Sequence, residues 1–88
     1  MMRSLVEKLE QTLNIVEFLS EVRGLDFVTQ RQCLLRAMRA LSASSAVDLH
    51  GARAVKRVLS RLGEELRRIP TGARMEVRLT EQIMPYYQ

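Results

Sequence analysis

Tryptophan is missing from this chain, and cysteine occurs once, at Cys33. A single thiol excludes an intramolecular disulfide and any cysteine cluster that would hold a metal within one chain. It suits a buried small hydrophobe in a reducing compartment, so a cytoplasmic location is expected. Histidine is equally scarce. His50 stands between Leu49 and Gly51, with Asp48 as its one ionisable neighbour in the immediate sequence. General acid–base or nucleophilic catalysis needs a second group brought within hydrogen-bond reach, and the flanks of His50 and Cys33 supply none. No histidine–carboxylate set has metal-ligand spacing. The glycines Gly24, Gly51, Gly63 and Gly72 are isolated from one another, which excludes a glycine-rich phosphate loop. No cofactor is therefore expected, and these shortages argue against an enzyme. Charges interrupt every apolar stretch well before the roughly 20 residues needed to cross a bilayer. Met1-Met2-Arg3-Ser4 leads directly into Leu5-Val6-Glu7-Lys8, without the uncharged core of a signal peptide. No membrane association is expected.

What the chain does contain is aliphatic residues and arginine. Apolar residues make up 47% of the 88 positions and charged residues 27%, a globular balance and not that of a disordered tail. The length fits a single domain, 1–88. A chain this short buries only roughly 60–65% of its unfolded surface, so homodimerisation would be a natural way to bury more.

Charge is distributed unevenly. Residues 1–30 set Arg3, Lys8 and Arg23 against Glu7, Glu10, Glu17, Glu21 and Asp26, a net of −2. Residues 31–78 set eleven cations against Asp48, Glu64, Glu65 and Glu76, a net of +7. All of those cations except Lys56 are arginine, whose planar fork suits phosphate or carboxylate better than the point charge of lysine. This asymmetry suggests an acidic N-terminal helix within 1–28, structural or dimerising, and a basic working core over 29–82. A short tail, 83–88, follows.

Hydrophobic spacing organises the chain into three predicted helices. Leu5, Leu9, Leu13, Val16 and Leu19, widened by Ile15 and Phe18, predict one helix from Ser4 to about Val22, with Ser4 and Glu7 as a capping box. Gly24 ends it and Asp26 lies in the connection. A second helix is predicted from about Thr29 to about Leu41, with Val28, Leu34, Leu35, Met38 and Leu41 inward and Gln32, Arg36 and Arg39 outward. Ser44 or Ser45 is expected to cap the next segment. In that segment Leu49, Ala52, Val55, Leu59, Leu62, Leu66 and Ile69 form a near-heptad seam that predicts a helix to about Arg68. Gly51 would mark a turn between a short helix and a longer one, and Gly63 would allow close packing of a neighbour. Pro70-Thr71-Gly72 stops the helix. Arg74 to Thr80 then alternates polar and apolar residues with period two, which predicts a strand that pairs with Arg67–Ile69, another segment or a second chain. The expected fold is mainly α (α+β): three helices with a small C-terminal β-hairpin or single strand. Pro85 disfavours helix in the tail, where Ile83, Met84, Tyr86 and Tyr87 would pack on the domain or on a partner.

On the third helix Arg53, Arg57, Arg61, Glu64 and Arg68 follow at three- and four-residue steps, flanked by Lys56. A cationic stripe with no acid before Glu64 suits successive contacts to a nucleic-acid backbone. Thr29-Gln30-Arg31-Gln32-Cys33-Leu34-Leu35-Arg36-Ala37-Met38 resembles the opening helix of a winged helix-turn-helix of the MarR type. Ala46 to Gly51 is similar to its short positioning helix, Arg53 to Leu62 to its recognition helix, and Arg67 to Glu81 to its two-stranded wing, so the resemblance spans residues 30–82. It implies a DNA-binding regulator in which Arg53, Lys56 and Arg57 meet the major groove and Arg74 meets the adjacent backbone or minor groove.

A second class stays open beside it. A basic helical module of the kind phages and plasmids carry as accessory proteins would act as an inhibitor or adaptor on an acidic protein surface. Its anchors would be apolar residues such as Phe18, Phe27, Met84, Tyr86 and Tyr87. In either class the residues expected to bind are Arg53, Lys56, Arg57, Arg61, Arg68 and Arg74. The partner would be double-stranded DNA or an acidic protein.

Overall fold

The computed structural model describes the backbone of residues 2–70 and the side chains of residues 4–70. The protein is mainly helical, with five helices where the spacing predicted three: α1 (Met2–Thr12), α2 (Ile15–Val22), α3 (Phe27–Leu41), α4 (Ser44–His50) and α5 (Ala52–Arg68). The predicted strand, the wing, Arg74 and the tail lie outside the described residues.

The first predicted helix is broken at Leu13, whose φ of 52° places it in the left-handed region. That conformation costs an L-residue about 1–2 kcal/mol, so the surroundings must favour it. The Thr12 hydroxyl donates to the Lys8 carbonyl at 2.9 Å and accepts the Asn14 N–H at 3.1 Å. The Asn14 carboxamide oxygen accepts the Glu17 N–H at 3.1 Å, which caps α2. Lys8 and Glu17 form an ion pair across the corner, and the hydrogen bond that Lys8 donates to the Glu17 carboxylate raises the Lys8 pKa. Because the chain turns, α1 buries Val6 and Leu9 while α2 buries Phe18, Leu19 and Val22. Val16, predicted on the inward stripe, is 76% exposed. Ser4 lies inside α1 and caps nothing, since the helix starts at Met2.

Asp26 is the N-cap of α3, and its carboxylate accepts the Thr29 N–H at 2.7 Å. That backbone hydrogen bond holds its pKa below the ordinary value. The helix therefore begins two residues before the predicted Thr29. Its buried face is Gln30, Cys33, Leu34, Ala37 and Leu41. Val28, at 65% exposure, and Leu35, at 38%, turn outward, contrary to expectation. The reason is rotational. Gln30 takes an inward position because its amide donates to the Leu25 carbonyl at 2.6 Å, and a satisfied polar group can be buried where an unsatisfied one cannot.

Ala43, not Ser44 or Ser45, is the N-cap of α4, and no side chain caps that end. The seam predicted to run through Leu49 and Ala52 is interrupted at Gly51, with φ 89° and ψ 148°. This region is essentially reserved for glycine. Leu49 consequently swings out to 67% exposure, and the true seam starts at Val55 and continues through Val58, Leu62 and Ile69. Pro70 follows the end of α5 as expected.

α3 is central. It packs against α1, α4 and α5, while α1 also meets α2 and α4 also meets α5. The buried apolar residues of all five helices, with Ile69, form one core. Among the described residues no helix is long and apolar enough to cross a membrane.

The two mid-chain glycines should respond to substitution in opposite directions. A Cβ at Gly51 meets no atom within 4 Å but suffers the positive φ, so Gly51→Ala is expected to destabilise by about 1–3 kcal/mol. A Cβ at Gly63 meets only the Met38 methyl at 4.0 Å, an ordinary contact, so the close packing expected there is not required. Gly63→Ala is expected to stabilise by about 0.5–1 kcal/mol through helix propensity. Urea midpoints at constant m-value would show both shifts.

Candidate nucleic-acid interface

The outward face of α5 is divided electrostatically. Among the described residues the ion pairs are Lys8–Glu17, Arg23–Glu65, Arg61–Glu64, Arg61–Glu65 and Arg68–Glu65. Arg53, Lys56 and Arg57 at the N-terminal end of the helix are exposed and take part in none of them. The C-terminal end is organised around Glu65, whose side chain is only 7% exposed. Arg23 grips it bidentately, Nε donating to Oε1 at 2.8 Å and Nη2 to Oε2 at 3.0 Å. Arg61 and Arg68 each stand 3.8 Å from Oε2, and Arg61 is also 3.6 Å from Glu64.

The stripe expected from Arg53 to Arg68 is thus one helix face with two characters. Arg53, Lys56 and Arg57 offer uncompensated charge. Arg61 and Arg68 have part of theirs absorbed by a carboxylate. Arg74 lies outside the described residues.

Arg23 and Glu65 escaped the sequence reading. Forty-two positions separate them, and no local spacing links residues that far apart. One signal did exist. Glu65 falls three residues after Leu62, on the apolar side of α5, where a carboxylate requires a partner.

Physical causes of the shifted pKa at this end are clear. The hydrogen bond from Arg23 holds the Glu65 carboxyl below its ordinary value, outweighing the opposing effect of burial, and the charges of Arg23, Arg68 and Arg61 add to it. The same hydrogen bond raises the Arg23 guanidinium.

The N-terminal end of α5 has a further property. Gly51 is its N-cap residue and offers no side chain, so no side-chain hydrogen bond closes the first turn. Backbone N–H groups at such an end, with the helix dipole, favour an anion. Beside this face lies an open groove of about 650 Å³, floored by Leu13, Ile15, Ala54 and Val58 and edged by Arg57 and Arg61.

Other candidate groups serve the fold. Nε2 of His50 lies 2.5 Å from the Glu10 carbonyl oxygen, linking the end of α4 to α1. Cys33 is fully buried, and burial pushes its thiol pKa up. Among the described residues no cluster of histidine, cysteine, aspartate or glutamate is arranged to hold a metal ion. Of the apolar anchors considered for protein docking, Phe18 is in the core and unavailable, while Phe27 is about half exposed. Met84, Tyr86 and Tyr87 lie outside the described residues.

Compared with protein-family models, curated proteins and solved structures, the chain matches none.

Glu65 makes stability depend on acidity. A carboxyl whose folded pKa is depressed stabilises the fold fully above the ordinary glutamate value of 4.5. That contribution is lost as pH falls through the lowered folded value. Glu65→Gln is expected to cost about 1.5–3 kcal/mol at neutral pH, the range for hydrogen bonds to a charged group. It should also flatten the acid limb of a stability–pH curve, and chemical denaturation from pH 7 down to pH 2 is the measurement.

Proposed function

We propose that the protein binds nucleic acid, double-stranded DNA in the first instance, through the N-terminal half of α5, as a non-enzymatic regulator of the winged-helix kind. The observation that carries this is the cluster of Arg53, Lys56 and Arg57, exposed within one turn and a half of helix and without a carboxylate partner among the described residues. Exposed cations repel one another, and a phosphate backbone relieves that repulsion while releasing counterions.

Two further features support the same end of the helix. α5 follows the short α4 after one residue, Gly51, and both pack on α3, the order that a positioning and a recognition helix require. The uncapped first turn adds backbone donors to the guanidinium groups. Arg61 and Arg68 belong to the site in a secondary role, because Glu65 already neutralises part of their charge.

The competing partner, an acidic protein surface, is favoured by the groove beside Arg57, whose apolar floor suits side chains that DNA lacks. The two partners differ in how salt acts on them. Contact with about two to three phosphates gives a log–log salt slope near −2 to −3 with duplex of any sequence.

Titration with mixed-sequence duplex at low and moderate salt tests the proposal. Arg53→Ala combined with Arg57→Ala is expected to weaken binding at least roughly tenfold, flatten its salt slope by about 2 and leave the helical circular dichroism unchanged. Arg61→Ala combined with Arg68→Ala should weaken binding less. Absence of binding by the parent chain at low salt, where the phosphate term is strongest, would overturn the proposal.

A further inference from the structure

A second cationic face lies on α3. Arg31, Arg36 and Arg39 are all exposed, beside Gln32, Val28 and Leu35. No aspartate or glutamate occurs anywhere in the helix. Glu7 and Glu10 of α1 share a shallow groove with Arg36 and Arg39, and Asp26 caps the start of the helix. None of these acids forms an ion pair with the arginines among the described residues. Like the N-terminal half of α5, this face carries charge that no ion pair among the described residues neutralises.

Where this face points follows from packing. Cys33, Leu34, Ala37 and Leu41 of α3 and Val55, Val58 and Leu62 of α5 enter the same core, and the two helices are in contact. Helices that meet through their buried faces turn their exposed faces away from each other. The α3 arginines and the α5 cluster therefore cannot both lie along one short straight stretch of a rigid duplex, whose persistence length far exceeds the size of the protein.

We infer that the arginine face of α3 is a second phosphate-backbone contact, so that one molecule of this protein bridges two duplex segments. The inference rests on the proposed nucleic-acid binding and extends it from a one-sided reader to a two-sided linker. Charge complementarity selects the occupant. Guanidinium groups along an acid-free helix match a backbone with an anion at every nucleotide, and arginine forks bind phosphate oxygens in pairs.

The test mixes two short mixed-sequence duplexes, one carrying a fluorescence donor and the other an acceptor, with the full chain. Substoichiometric protein is expected to raise energy transfer, and excess protein to reduce it again as each duplex saturates alone. The variant combining Arg31→Gln, Arg36→Gln and Arg39→Gln should still bind a single duplex through α5. It should lose the transfer, while its salt slope for a single duplex stays at about −2 to −3. The variant combining only Arg31→Gln and Arg39→Gln, both exposed, should also lower the transfer, which preserves the test if the triple variant fails to fold.

Binding without any rise in transfer, or transfer retained in the folded glutamine variant, overturns bridging and leaves a one-sided α5 interface standing. A parent chain that sediments as a dimer without DNA, and still bridges when α3 is neutralised, also overturns it. Failure of the parent to bind duplex at all removes both the bridge and the interface on α5.

Discussion

A carboxylate placed on the inward side of a helix must find cations or remain protonated, and in this protein Glu65 finds them from three directions. Arg23 arrives from the loop after α2, and Arg61 and Arg68 arrive from the turns of α5 on either side. The pair with Arg23 ties the end of the N-terminal helices to the C-terminal half of α5, a connection that apolar contact alone makes sparsely, since α2 packs chiefly on α1. The same carboxylate decides which cations remain available. By drawing in Arg61 and Arg68 it leaves Arg53, Lys56 and Arg57 in the N-terminal half of α5, and Arg67 at its end, without an ion pair among the described residues. One buried acid thus links the fold to the distribution of free charge along α5.

Much of the architecture was legible from spacing. α3 and α5 lie where apolar periodicity placed them, and Pro70 stands just past the end of α5. Both breaks were harder to see for the same physical reason. An apolar stripe that continues in phase across a corner looks like one helix, and only local chemistry shows otherwise. At the first corner the chemistry was Thr12 and Asn14, whose side chains bond the backbone. At the second it was Gly51, which was legible as a turn but not as the point where the seam ends. The inward position of Gln30 depends on the Leu25 carbonyl, which periodicity does not weigh. Exposure of Arg53, Lys56 and Arg57 could be read because they lie opposite the seam, whereas the pairing of Arg23 with Glu65 joins residues 42 positions apart.

Charge separation along the chain acquires a spatial meaning in the fold. Acidic residues of the first 30 positions are partly used locally, Glu17 on Lys8 and Asp26 on the first turn of α3. They are not used to neutralise the arginines of α3 or of the start of α5. Tertiary structure therefore preserves the imbalance seen in the sequence and presents it on two outward faces.

Gly51 directs α5 with a backbone conformation and no side chain, and the frame beneath α5 is set by Val55, Val58, Leu62 and Glu65. Arg53, Lys56 and Arg57 contribute nothing to that frame. Mutational drift at the surface and mutational constraint in the scaffold are consequently uncoupled in this helix. A lineage carrying it could rewrite the three outward residues, and so change the charge that this end of the helix presents, without passing through an unfolded intermediate genotype.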